Sequence, residues 1–169
     1  MWQWWSCFFA TGVRVSELCN LRPEDVDLRN GKIKVLGKGS KERVIQICQA
    51  EALSALREYY RLFSPAIKNR FFFFINRLGS PLSPQSVRLM VRGYSQKAGI
   101  SKPVTPHTFR HTFATLLLEE DVDIKYIQHL LGHSSISTTQ IYTHVNSVKQ
   151  KKILATKHPR RKMCFGGEE

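Results

Sequence analysis

One stretch, VTPHTFRHTFATLLLEED at residues 104–121, constrains the fold more than any other part of the chain. Thr105 is a favourable helix N-cap, and Pro106 suits the first helical position because its missing N–H would have no partner there. His107 and Arg110 are expected away from the buried face of this helix. Apolar residues recur at helical spacing and predict a buried stripe formed by Phe109, Phe113, Leu116 and Leu117.

The rest of the chain predicts an α+β fold that is mostly helical and contains a small antiparallel β-sheet. β-rich runs on both sides of the turn GKGS predict a hairpin near residues 32–48, with Lys38 in its loop. A short apolar run near residues 71–75 predicts one more strand. Residues 6–21 are predicted to form two helical pieces, broken at Gly12, with Ser16 as an N-cap. Further helices are predicted at residues 49–63, from Ser83 or Ser86 to about residue 98, and from residue 134 onward. Another helix should end at Gly132, with Ile124, Ile127 and Leu131 facing inward.

Composition narrows the class of protein. The 169 residues are 42% hydrophobic, which suits one domain with a sizeable core. Lysine and arginine number 26 against 13 acidic residues, and the formal net charge of +13 indicates a polyanionic partner, foremost nucleic acid. The four cysteines form no CxxC pair, which fits a reducing compartment. The start MWQWWSCFFA is too short for a membrane anchor and lacks a signal peptide's basic region, and its three tryptophans lead us to expect a preceding segment.

The histidines of HTFRH admit a metal site as one interpretation. His107 and His111 are four residues apart, so a helix would place them on one face. A zinc protease of the HExxH type has a glutamate next to the first histidine, and this chain has Thr108 there. Because no cluster of acids or cysteines offers a third ligand, the sequence disfavours a metal.

Cleavage of a phosphodiester is the alternative chemistry. Charge on the phosphate oxygens must be met by fixed donors, and the planar forks of Arg14, at the predicted bend, and Arg110 are suited to this. Lys38 could protonate the leaving oxygen, His107 could accept the nucleophile's proton, and His133 could hydrogen-bond the phosphate. Taken singly, each residue also has a structural interpretation, such as a helix end for His133 or a solvated turn for Lys38.

Five tyrosines are candidates for the nucleophile: Tyr59, Tyr60, Tyr94, Tyr126 and Tyr142. A phenol has a pKa of about 10 and needs nearby cations and a base before it attacks. Tyr142 follows His133 by nine residues within a polar run and is the best placed. Tyr59 and Tyr60 are expected to cover the core.

Four blocks, TGVRVSEL, GKGSKER, HTFRHTFAT and LGHSSISTTQIYTH, together resemble the catalytic domain of the tyrosine recombinase, or phage integrase, family. The resemblance places an orienting acid on Glu17 and basic residues near the DNA backbone on Lys41 and Arg43. Pro23 and Gln46 depart from common family residues but lie outside the active-site set. The family's six active-site residues fall on Arg14, Lys38, His107, Arg110, His133 and Tyr142.

The resemblance implies a site-specific recombinase of double-stranded DNA. Its tyrosine forms a 3′-phosphotyrosyl bond and frees a 5′ hydroxyl, and this hydroxyl attacks a partner strand. The covalent bond stores the energy, so that no cofactor, ATP or metal is needed. Four protomers are expected on two duplexes, with the segment SVKQKKILATKHPRR packing on a neighbouring protomer. The expected setting is the cytoplasm of a prokaryote, at the nucleoid, with no membrane involved.

We expect a catalytic domain at residues 1–157 and a basic tail at 158–169, with the family's N-terminal DNA-clamping domain missing from this chain. Two other functions stay open. The same chemistry could relax supercoils in the manner of a type IB topoisomerase. The expected gap motivates the other function, a DNA-binding protein that regulates recombination without cleaving.

Overall fold

A computed structural model of the protein describes residues 3–37, 39, 41–68, 70–132 and 147–158. This part of the chain forms a mostly helical domain with one small antiparallel sheet, which confirms the predicted fold class. Its elements, in chain order, are α1 (Gln3–Thr11), α2 (Val15–Cys19), β1 (Val26–Asp27), β2 (Lys32–Leu36), β3 (Glu42–Gln46), α3 (Ala50–Lys68), α4 (Pro84–Lys97), α5 (Pro106–Glu119), α6 (Ile124–Leu131) and α7 (Ser147–Thr156).

The predicted hairpin is the centre of the sheet. Its strands β2 and β3 pair with Val35 opposite Arg43, and the Gly37 N–H donates to the Lys41 carbonyl at 2.8 Å to close the loop. Along β2, buried Ile33 and Val35 alternate with exposed lysines, because successive strand residues point to opposite faces. Lys38 itself lies outside the described residues.

The third strand of the sheet is β1. The prediction of a strand near residues 71–75 was wrong. Only an isolated bridge between Ile75 and Pro81 occurs there. The backbone of that segment is bonded elsewhere: Phe73 donates to the carbonyl of Leu21, and the Tyr59 hydroxyl bonds the segment at Phe73 and Ile75. Within the run Phe73 and Phe74 are buried in the core, whereas Phe71 is 81% exposed, and the run does not join the sheet.

The break between α1 and α2 lies at Gly12, as predicted, and its φ of +60° is one that L side chains rarely adopt. A β-carbon there would also lie 2.7 Å from the ring of Phe113 on α5. The N-cap of α2 is Arg14, so the prediction of Ser16 was wrong. The Glu17 carboxylate accepts the Arg14 N–H at 2.8 Å and so supplies the cap from inside the helix.

The strongly predicted helix, α5, begins as expected. Thr105 is its N-cap and accepts from the Thr108 N–H, and Pro106 follows as the first residue. The prediction that Arg110 lies away from the buried face was wrong. Arg110 is buried with Phe113 and Leu117, because residues three and seven positions apart share one face of a helix.

The other helices differ from prediction mainly at their ends and faces. α3 continues past residue 63 to Lys68 and contains Pro65. α4 takes Ser83, the first of its two candidate caps. α6 ends at Gly132 in the left-handed conformation, as predicted, but Ile124 in its first turn is exposed, whereas Tyr126, Ile127, Leu130 and Leu131 are buried.

The C-terminal helix α7 packs on the same chain. Its Leu154 is fully buried in the hydrophobic core, and the Leu154 carbonyl accepts from the Gln49 side chain at 3.2 Å. Nε2 of His158 lies 2.9 Å from the Ala10 carbonyl, so it must carry the proton of this hydrogen bond, and its ring meets Phe113 edge-on. His158, the first residue of the predicted tail, thus belongs to the packed domain.

No helix in the ranges listed above combines the length and apolarity that a membrane span requires.

Candidate active site

The site is built around the C-terminal end of α6. The last carbonyls of a helix have no partner within the helix, and the helix dipole makes this end partially negative. Three arginine side chains supply donors here. They are Arg14 at the start of α2, Arg43 on β3 and Arg110 on α5. Their acceptors are the carbonyls of Leu130, Leu131 and Gly132.

Arg14 reaches this helix end from the start of α2. Its Nη2 donates to the Gly132 carbonyl at 2.9 Å, and its Nη1 donates to the Leu131 carbonyl at 3.4 Å and to Glu17 at 2.9 Å. The Arg14 side chain is still 30% exposed. It is therefore both fixed in position and open to a ligand on one side.

Arg110 approaches the same helix end from α5 and is more deeply buried. Its Nη1 donates to the Gly12 carbonyl at 2.8 Å, and its Nη2 donates to the Leu131 carbonyl, which it shares with Arg14. Burial, followed by the positive charge of Arg14, lowers the pKa of Arg110 to about 10. Arg110 therefore remains protonated at neutral pH.

Glu17 is the counter-ion of the cluster. Its side chain is 3% exposed, and its carboxylate accepts from the backbone and Nη1 of Arg14 and from both Nη atoms of Arg43. Burial raises the pKa of Glu17, but these hydrogen bonds and the charge of Arg43 outweigh it and lower the pKa below the ordinary value. The predicted orienting acid is thus bonded directly to Arg14.

The two basic residues predicted near DNA lie in different environments. Lys41 is exposed at the end of the hairpin loop. Arg43 is turned inward, with a side chain only 9% exposed; its Nε donates to the Leu130 carbonyl at 2.8 Å, and its Nη atoms hold Glu17 at 3.0 and 2.8 Å. Contact of Lys41 with DNA stays a prediction, whereas Nε and both Nη atoms of Arg43 are bonded within the protein.

His107 and His111 are both exposed on α5, and His107 precedes Arg110 by one turn. This places His107 at the start of the helix whose interior holds Arg110. The described part of the chain contains no group of three or more His, Cys, Asp or Glu residues arranged to hold a metal ion.

A groove of 530 Å³ extends from His107 between α4 and the start of α5. Exposed Arg88, Arg92 and Lys102 contribute to its lining. Positive charge therefore lines a concave surface next to His107, and such a surface attracts a polyanion.

Two of the described tyrosines are poorly suited to act as the nucleophile. Burial raises the pKa of Tyr59 and of Tyr126, which makes both phenols harder to ionise. Tyr60 stacks on Phe73, and Tyr94 lies against the ring of Trp5. Three of the six predicted active-site residues, Lys38, His133 and Tyr142, lie outside the described residues. Gly132, whose carbonyl accepts from Arg14, directly precedes His133 in the sequence.

Sequence reasoning found Arg14, Glu17, His107 and Arg110 but missed what joins them. The common partner of the arginines is a row of backbone carbonyls, and backbone acceptors leave no residue-type signal in a sequence. The inward turn of Arg43 was also missed. Its position opposite Val35 in a strand with one buried face was the available signal.

The fold and site together define a mostly helical domain in which three arginines and one glutamate converge at the end of α6. Comparisons with known proteins identify this class. A sequence profile described as "Phage integrase family" matches residues 5–149. This match covers most of the chain, and the protein therefore belongs to the phage integrase family.

Relatives of known name are tyrosine recombinases. The chain is 55% identical over 157 residues to a tyrosine recombinase of Agathobacter rectalis, covering 93% of this chain and 51% of that protein. It is 45% identical over 157 residues to tyrosine recombinase XerC of Thermodesulfovibrio yellowstonii, covering 90% and 52%. The chain thus spans about half the length of the curated relatives it matches.

Solved structures agree in fold. The XerA recombinase superposes with a TM-score of 0.69 at 37% identity, over 94% of this chain and 57% of that one. The XerH site-specific recombinase, solved in a pre-cleavage complex with its difH substrate, superposes with a TM-score of 0.67 at 27% identity, over 94% and 42%.

Proposed function

We propose that this chain is the catalytic domain of a site-specific DNA recombinase that cleaves and rejoins strands through a 3′-phosphotyrosyl intermediate. The observation that carries the proposal is the convergence of Arg14 and Arg110 on one helix end. Both guanidinium groups are held by the backbone carbonyls of Leu131 and Gly132, and the residues that follow in the sequence include His133 and Tyr142. Relatives named tyrosine recombinases support the same activity.

In the proposed cleavage step, the Tyr142 oxygen attacks the phosphorus and the bond to the 5′ oxygen breaks. His107 accepts the phenol proton, and Lys38 protonates the leaving oxygen. Arg14 and Arg110, with His133, stabilise the charge on the non-bridging oxygens. Because these arginines are fixed before DNA binds, little reorganisation is required when the charge develops.

Rejoining reverses these steps. A 5′ hydroxyl from the partner strand attacks the phosphotyrosine, and Tyr142 leaves with a proton returned from His107. The number of phosphodiester bonds is unchanged, so the proposed reaction needs no ATP, and the arginines would meet the phosphate charge without a metal.

The proposed DNA path follows the positive surface. Exposed Lys41 at the hairpin loop and the groove lined by Arg88, Arg92 and Lys102 would bind phosphates flanking the cleaved bond. Such contacts predict steep weakening of binding as salt increases.

The proposed assembly is a tetramer on two duplexes at the nucleoid of a prokaryote. In this structure α7 packs on its own chain through buried Leu154 and His158. Packing on a neighbouring protomer would then require the same surface to accept the neighbour's α7 in exchange. DNA-bound relatives such as XerH support the DNA partner.

The test is a suicide substrate. The protein is incubated with a pool of short duplexes of randomised sequence. Each duplex is nicked so that the 5′-hydroxyl fragment is lost after cleavage. Covalent complexes are then separated under denaturing conditions. The expected result is an adduct at the DNA 3′ end with the wild type and none with Tyr142→Phe.

Tyr126→Phe is the matched control, because it removes a phenol oxygen that is buried away from solvent. This variant should form the adduct at the wild-type level. Binding without adduct by the wild type would contradict the proposal and favour a regulator. Relaxation of supercoils without recombinant products would favour a topoisomerase-like activity.

A further inference from the structure

Arg43 is bonded to several parts of the site but is not placed to bind a ligand itself. Its side chain is 9% exposed, compared with 30% for Arg14. Nε and both Nη atoms each donate to a protein acceptor, namely the Leu130 carbonyl and the two oxygens of Glu17. A guanidinium bound in this way is fixed in position and mostly covered.

The partners of Arg43 are the groups that hold Arg14. Glu17 bonds Arg43 on one side and the Arg14 side chain and N–H on the other. The Leu130 carbonyl directly precedes the Leu131 and Gly132 carbonyls that accept from Arg14. Two independent routes, one through a carboxylate and one through a helix end, therefore connect Arg43 to the same phosphate-binding residue.

Arg43 also lies against the base of the hairpin loop. A β-carbon on Gly37 would be 3.4 Å from Nη1 of Arg43 and 3.7 Å from Glu17. Gly37 immediately precedes Lys38. The Arg43–Glu17 pair is thus packed between the loop that carries the proposed proton donor and the helix end that leads to His133.

We infer that Arg43 is a positioning residue of the proposed cleavage reaction, which orients Arg14 through Glu17 and the end of α6 and does not bind a DNA phosphate. The inference rests on the proposed function. A planar fork is required because Nε and the Nη atoms bond acceptors in different directions, and a lysine ammonium is a single point of charge.

The experiment measures single-turnover cleavage at saturating concentrations of the nicked duplex that the wild type cleaves best. Arg43→Met is expected to slow cleavage by about 100-fold, since misplacement of a phosphate-binding group by about 1 Å costs that much. Arg43→Lys keeps the charge but loses the fork, and it should remain slowed by about 10-fold or more. The matched control is Lys34→Met, which removes a positive charge from the same hairpin at a side chain that is 46% exposed, and should cleave at the wild-type rate.

Two further readouts separate positioning from DNA contact and from general destabilisation. Loss of one phosphate contact would reduce the salt slope of binding by about 0.9, and Arg43→Met should leave the slope unchanged. In an Arg14→Lys background, Arg43→Met should slow cleavage by less than about 3-fold, because the residue that it positions is already altered. Every variant is assayed where circular dichroism shows it fully folded; if Arg43→Met does not fold, Arg43→Lys and Arg43→Gln replace it.

The outcomes are decisive. Any one of three results would overturn the inference alone. The first is a full cleavage rate with Arg43→Lys, and the second is a reduced salt slope of Arg43→Met with an unchanged rate at saturation. The third is an equal effect of Arg43→Met with and without Arg14→Lys. Absence of an adduct from the wild type would instead overturn the proposed function, and the inference with it.

Discussion

Replacing Gly132 by alanine should destabilise the protein more than the same change at Gly99. Both glycines follow a helix with similar left-handed backbones, at φ +64° and +68°. A non-glycine residue in this conformation costs about 1–2 kcal/mol. That backbone cost is common to the two variants, so a comparison between them removes it.

The two sites differ in what a β-carbon would meet. At Gly99 nothing lies within 4 Å, whereas at Gly132 the β-carbon would lie 2.8 Å from Nη1 and 3.1 Å from Cζ of Arg43. The guanidinium must therefore move, and movement breaks at least one of its hydrogen bonds to Leu130 or Glu17. A hydrogen bond to a charged group contributes about 1.5–3 kcal/mol. We expect a total loss of about 2.5–5 kcal/mol for Gly132→Ala and about 1–2 kcal/mol for Gly99→Ala.

Urea unfolding followed by circular dichroism measures both losses, provided that the slope of unfolding free energy against urea stays constant. In an Arg43→Met background the excess cost at Gly132 should disappear, because the obstructing group is gone. Equal losses at Gly132 and Gly99 in the wild-type background would refute the idea that Arg43 is held rigidly against the end of α6.

Three other substitutions test the buried groups described above. Glu17→Gln should cost about 3 kcal/mol of unfolding free energy at neutral pH, because it leaves the inward Arg43 without its buried counter-ion. Because the folded-state pKa of Glu17 is lowered, its contribution is complete above the ordinary value of 4.5 and is lost as pH falls through the lowered pKa, so the variant and wild type should converge in acid. Tyr126→Phe should change stability by about zero or slightly increase it, because no partner for its buried hydroxyl occurs among the described residues. Leu154→Ala should cost about 2–5 kcal/mol, because this side chain is fully buried where α7 packs on the domain.

Each of these has a result that would count against it. A Glu17→Gln variant whose deficit persists unchanged in acid would show that charge is not the cause. A loss above about 1 kcal/mol for Tyr126→Phe would show that its hydroxyl has a partner. For Leu154→Ala, a cost below about 1 kcal/mol would show that α7 contributes little to the folded monomer.

Local rules predicted the helices with strong terminal signals. Thr105 and Pro106 set the start of α5, and Gly132 sets the end of α6, because an N-cap, a proline and a left-handed glycine each act within a few residues. The hairpin was predictable for the same reason. Strand β1 was not, since two residues carry no alternation, and its pairing depends on a partner supplied by tertiary structure.

The candidate site was predictable as residue types but not as geometry. Arg110 is buried although its type favours the surface, and this burial is offset by the carbonyls of Gly12 and Leu131, which are distant in sequence. Arg43 is buried in the same way against Leu130 and Glu17. Acceptors distant in sequence decide both positions, namely backbone carbonyls and, for Arg43, also the Glu17 carboxylate, and these acceptors leave no periodic pattern in the sequence.

The central claim, that Tyr142 forms the covalent bond to DNA, is tested most directly by mapping the trapped adduct. After nuclease treatment and tryptic digestion, the nucleotide should be found on the peptide of residues 126–149, which contains both Tyr126 and Tyr142. Fragmentation of that peptide by mass spectrometry assigns the site. A phosphonucleotide is expected on Tyr142; a modification on Tyr126, or on any residue outside this peptide, would show that Tyr142 is not the nucleophile.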